Sequence, residues 1–120
     1  TCRIRIKQPE VKESIIRDFM ILVERNAMKE HNPSFYSDKL CISTQYLSII
    51  LKEITGHTAN HWIAKKITAQ AKILLRTPNL TIKEITDKLH FADQSSFGKF
   101  FKKHTGMSPK KYREDFSSPR

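Results

Sequence analysis

Glycine and proline are scarce in this chain, with 3 and 5 among 120 residues. That excludes an all-β fold rich in tight turns, which needs glycine wherever its hairpins turn left-handed. Cysteine is scarcer still: Cys2 and Cys41 are the only two. Two cysteines make neither a disulfide framework nor a four-cysteine zinc site. No apolar run approaches the roughly 18 residues of a membrane helix, so no membrane partner is expected. Thr1–Gln8 lacks the apolar segment of a signal peptide. There is no phosphate-cradling glycine loop, no nucleophile–base–orienter set and no paired carboxylate motif. An enzyme is therefore not expected, nor any cofactor. Acidic residues are also few, 12 against 22 lysines and arginines, for a net charge of +10.

What is present is an ordinary globular composition, 38% hydrophobic and 28% charged, in a length that suits one domain. The charge is uneven. Residues 1–33 carry seven positive and five negative charges, and residues 34–120 carry fifteen and seven. A basic surface of this kind points to a polyanion, nucleic acid ahead of a membrane surface or an acidic protein. The first residue is Thr1 rather than Met, which suggests a processed chain or an excised fragment with a preceding domain left out.

The apolar spacing is helical nearly throughout. Val11, Ile15, Phe19 and Leu22 fall at i, i+4, i+8 and i+11 on a first helix over Glu10–Glu30. A breaker cluster at Lys29–Pro33 ends it. A short helix fits Phe35–Leu40. A third runs from Thr44 to Ile54 and stops at Gly56, a left-handed C-terminal position. A fourth, from about Thr58 to Leu75, carries Ile63, Ile67, Ala71 and Leu74. The fifth opens at Thr81 with Glu84 three residues on, a capping box, and ends near Leu89. The sixth follows Asp93 as N-cap and ends before Gly106. The last opens at Ser108-Pro109. This predicts an all-α fold of about seven helices.

A repeat with a period near 50 residues is the most specific feature. At an offset of 50, Leu47, Ile50 and Leu51 meet Phe97, Phe100 and Phe101, and Lys52, Thr55 and Gly56 meet Lys102, Thr105 and Gly106. At an offset of 49, Asp38-Lys39-Leu40 meets Asp87-Lys88-Leu89. Each unit is a short helix, a turn and a longer helix, which is helix-turn-helix geometry used twice. On each longer helix one face is apolar: Leu47, Ile50, Leu51 and Ile54, then Phe97, Phe100 and Phe101. The other shows Thr44, Gln45, Ser48 and Ile49, then Gln94, Ser95, Gly98 and Lys99. These stripes lie near the helix N-termini, the end from which recognition helices read base edges. Gln can pair with adenine, Lys can reach guanine, and Ile49 can only touch a thymine methyl or stay against protein. Lys52, Lys102, Lys103 and Lys110 are candidates for phosphate contact, with Lys111 beside them.

At these residues the chain resembles the AraC/XylS-type bacterial transcription regulators. The second half carries Thr81-Ile-Lys-Glu-Ile85, Leu89-His-Phe91, Asp93-Gln-Ser-Ser-Phe97, Phe101-Lys102-Lys103, Thr105-Gly106, Ser108-Pro109 and Tyr112-Arg113. The first half adds Leu40, Ile42-Ser43, Tyr46-Leu47-Ser48, Lys52–Gly56 and Trp62-Ile63. The resemblance covers roughly residues 34–114. It implies two helix-turn-helix subdomains joined by a long linker helix, reading successive major-groove segments about 10 bp apart. The divisions it implies are an entering segment (1–33), a first unit (34–57), a linker helix (58–77) and a second unit (78–116). It implies the same eight base-reading positions, double-stranded promoter DNA and RNA polymerase as partners, activator function, and an effector or dimerisation domain missing from this chain. Location in the cytoplasm, at the nucleoid, follows from the DNA partner. Three positions depart from the pattern: Thr86 stands in place of alanine, His90 in place of glycine, and Ile49 where polar or basic residues are common.

Other residues carry blander readings. His31, His57, His61, His90 and His104 include one i, i+4 pair, His57 and His61, but no cysteine or carboxylate completes a metal set. Cys41 reads as a buried structural thiol in the short first helix of unit one. Trp62 reads as core, as do the phenylalanines, which disfavours single-strand stacking. The competing reading from another class is a helical protein–protein module that docks through the helix over Glu10–Glu30.

Overall fold

The computed structural model describes residues 9–117. Among the described residues there are seven helices and no strand: α1 (Pro9–Asn26), α2 (Pro33–Lys39), α3 (Thr44–Thr55), α4 (Ala59–Arg76), α5 (Ile82–Lys88), α6 (Gln94–Thr105) and α7 (Pro109–Ser117). The chain divides into two compact units between Ala64 and Lys65, inside α4.

Side chains that bind the free amides fix the starts of the helices. Asn32 accepts from the Ser34 amide ahead of α2, and Ser43 accepts from Tyr46 ahead of α3. Thr81 and Glu84 form the full capping box of α5, and Asp93 caps α6 through the Ser96 amide. Caps of this kind each stabilise a helix by about 1 kcal/mol. At the other end α3 and α6 stop at Gly56 (φ 84°) and Gly106 (φ 82°), left-handed residues whose amides donate to the carbonyls of Lys52 and Lys102.

In the first unit α1 buries Ile15, Phe19 and Val23, Ala27 is buried just past its end, and α3 buries Leu47, Ile50 and Leu51. Lys12 on α1 pairs with Glu53 on α3 at 3.2 Å. Tyr36 of α2 is fully buried, with its ring edge-on to Phe19 at 5.6 Å. Its hydroxyl donates to the Glu30 carbonyl at 2.7 Å. Burial, with the nearby Glu30 charge, pushes the phenol up to about 12.

The second unit closes around Ala71, Leu75, Ile85, Leu89, Phe97, Phe101 and Tyr112. Burying each of Leu75, Ile85, Leu89, Phe97 and Phe101 stabilises it by about 1.5–3 kcal/mol. Arg113 ties α7 to the end of α4: its Nε donates to the Leu75 carbonyl at 3.0 Å. That carbonyl lies in the last turn of α4, where a cation also suits the helix dipole.

Four apolar or thiol readings need correction. Ile54 is 47% exposed, because it lies at the margin of the α3 stripe rather than at its centre. Phe100 is half-buried, ringed by Phe91 at 5.1 Å and His104 at 4.5 Å. Trp62 is also half-buried; its indole N–H reaches the Thr55 hydroxyl at 3.0 Å, which holds the ring near the surface. Cys41 is not a buried thiol on a helix. It lies half-buried in the turn after α2 at φ 61°. Cys2 and Thr1–Gln8 lie outside the described residues.

Candidate nucleic-acid interface

Each unit builds its turn in the same way, from residues 49 apart. After α2, the Ile42 amide donates to the Ser37 carbonyl at 3.1 Å; after α5, the Phe91 amide donates to the Thr86 carbonyl at 3.1 Å. Both residues are buried, and each hydroxyl is satisfied one turn back: Ser37 donates to Ser34 at 3.1 Å and Thr86 to Ile82 at 2.8 Å. The hydroxyl of Thr86 is thus absorbed where alanine would need no partner. The left-handed residue of the turn is Cys41 in one unit (φ 61°) and His90 in the other (φ 60°).

The longer helices end alike as well. Thr55 donates to the Leu51 carbonyl at 2.6 Å and accepts from the His57 amide at 3.2 Å. Thr105 donates to the Phe101 carbonyl at 2.8 Å and accepts from the Met107 amide at 3.2 Å. One threonine per unit therefore locks the end of the helix to the chain that leaves it. The Thr-Gly pair common to both repeats is the sequence signal for this lock.

The candidate base-reading residues sit on α3 in the first unit and on α6 in the second. On α3, Gln45 and Ile49 are exposed and Ser48 is half-buried. Thr44 is exposed, but its hydroxyl shares a hydrogen bond with Ser37 at 2.9 Å, so it braces the turn. On α6, Gln94, Ser95 and Lys99 are exposed and Gly98 is half-buried. Ile49 is 60% exposed and does not stay against protein.

The phosphate candidates Lys52, Lys102, Lys103 and Lys110 are exposed, as is Lys111. His104 adds little to them: burial, then the Lys103 charge, lowers its pKa from the ordinary imidazole value. Asp93 stays ionised because the Ser96 amide donates to it at 2.7 Å, which lowers its pKa. Its carboxylate is committed to the cap. Among the described residues no group of three or more His, Cys, Asp or Glu could hold a metal ion. His57 and His61 stack on each other at 3.9 Å. No helix among the described residues is long and apolar enough to cross a membrane.

A family profile described as a helix-turn-helix domain matches residues 36–115. The Msm operon regulatory protein of Streptococcus mutans is 32% identical over 80 residues, which are 67% of this chain and 29% of that protein. The HTH-type transcriptional activator AarP of Providencia stuartii is 27% identical over 107 residues, 89% of this chain and 79% of that one. The C-terminal domain of AraT, a response regulator from Geobacillus stearothermophilus, superposes with a TM-score of 0.78 at 27% identity, covering 84% of each chain. The chain thus spans under a third of the Msm regulator's length and most of the AarP activator's.

Proposed function

This chain belongs to the AraC/XylS-type family, as the sequence-specific DNA-binding domain of a bacterial transcription regulator, and from that premise we propose that it reads duplex DNA with two helices. The N-terminal halves of α3 and α6 enter separate major-groove segments. Gln45, Ser48 and Ile49, with Thr44 at the rim, face base edges under the first; Gln94, Ser95, Gly98 and Lys99 face them under the second. Lys52, Lys102, Lys103 and Lys110 neutralise phosphates and set the register. The functional divisions are the entering segment (1–33), the first reading unit (34–57), the linker helix (58–77) and the second reading unit (78–116).

The observation that carries this reading is the duplicate construction. Two helices, capped and locked by the same contacts, each present an exposed stripe beside their N-termini, polar but for Ile49 on α3 and Gly98 on α6. A bundle built only for packing has no need to repeat the turn, the lock and the exposed stripe together. The Msm and AarP names support operon DNA as the target and activation as one outcome; RNA polymerase as a partner and the cytoplasm as the place of work belong to the same proposal. An effector or dimerisation domain elsewhere in the full regulator fits the short share of the Msm protein that this chain spans.

A fluorescence anisotropy titration at two salt concentrations tests the proposal. Four lysine–phosphate contacts imply a log–log salt slope of about −3.6, or about a hundredfold loss between 50 and 200 mM salt. Duplex should win over single strand of the same sequence. Salt-independent binding, or no preference for duplex, would reject it.

A further inference from the structure

We propose that Ile49 reads the 5-methyl group of a thymine, so that the DNA element under α3 is built on A·T pairs while the element under α6 includes a guanine. The inference rests on the reading of α3 as a recognition helix and adds which base chemistry it selects. Among the exposed large apolar residues named in the described chain, Ile49 is the most exposed at 60%. It lies one turn beyond Gln45, on the same stripe. Its side chain has no donor or acceptor, so it cannot read a polar base edge. In the major groove the apolar group on offer is the thymine methyl.

Two further observations favour a base contact over a protein seam. Ile54, the other exposed apolar residue of α3, sits roughly 140° around the helix from Ile49, so the two make no continuous apolar face. In the second unit the same register position is Lys99, also exposed. The two units therefore present opposite chemistry at one geometric position: an apolar contact on α3 and a guanine-seeking cation on α6. Gln45 beside Ile49 suits adenine, which makes an adjacent A and T the natural target of α3.

The test uses the full chain and a duplex enriched from a random library. Each thymine of the two elements is replaced singly by deoxyuridine, which deletes the methyl and leaves the pairing edge intact. One replacement in the α3 element should weaken binding by about fourfold, the worth of one buried methyl group. With Ile49→Ala, an exposed change that α3 tolerates, that same replacement should have no effect. Ile49→Lys should move the selected base at that position toward guanine. If the uridine penalty persists undiminished in Ile49→Ala, or no thymine of the α3 element matters, the inference fails while the DNA-binding reading stands. If no duplex is enriched at all, both fail.

Discussion

Nothing in the fold requires glycine at Gly98 of α6. It lies in the helix interior, four residues beyond Gln94. A Cβ built there meets no other atom within 4 Å. Its φ is not left-handed, unlike that of Gly56 or Gly106. Gly98→Ala should therefore stabilise the second unit by about 0.8–1.0 kcal/mol, the usual gain from glycine to alanine in a helix interior. That corresponds to a Tm rise of roughly 4–8 °C, the larger value if the second unit melts alone. The same methyl would stand between α6 and the floor of the groove. Displacing one good base contact costs about 1–3 kcal/mol, so affinity should fall about fivefold or more. Thermal unfolding and anisotropy on one preparation measure both. A stabilised variant that binds as well as the parent would show that Gly98 does not face DNA. A destabilised variant would refute the argument from open space.

Other consequences can be checked separately. Lys99→Ala should lose about 1–3 kcal/mol against the preferred duplex and relax the base preference at one position; a uniform loss across all sequences would make Lys99 a phosphate contact instead. Lys103→Ala should weaken all duplexes alike and reduce the salt slope by about one unit, as read from titrations over a range of salt. The pKa of Asp93 is lowered in the folded chain by the Ser96 amide, so the unfolded chain binds the proton more readily. Its stabilisation is present above the ordinary aspartate pKa of about 3.9 and disappears as pH falls through the folded value. Urea unfolding between pH 6 and 3 should therefore show a smaller loss for Asp93→Asn, which keeps the cap, than for the parent. Ser43→Ala removes the cap of α3 and should cost about 0.5–2 kcal/mol of stability by denaturant unfolding.

Much of this architecture could be read from local chemistry. Thr81 and Asp93 announce helix starts because their oxygens compete for free amides, and Gly56 and Gly106 announce stops because only glycine takes φ near +80° without strain. The repeat at offsets of 49 and 50 carried the pairing of the two units. What periodicity could not resolve lay at the edges of stripes. Ile54 and Phe100 sit one step off the buried face, where a small helix rotation decides between core and solvent. Cys41 lies past the helix because the chain turns left-handed there, as it does at its counterpart His90; its apolar neighbours hide that turn in the sequence. Ser37 is buried, and a buried serine looks like an exposed one in sequence. Only its register with Thr86 shows that both residues close the same turn through their carbonyls. The eight base-reading candidates illustrate the same boundary. Their types and spacing were legible, but the bond from Thr44 to Ser37 was not.

The central claim, that α3 and α6 both read bases, is tested most directly by selecting bound duplexes from a random library with the full chain. The account predicts an enriched site with two short elements about 10 bp apart, one per helix. Enrichment of a single element, or of none, would contradict it.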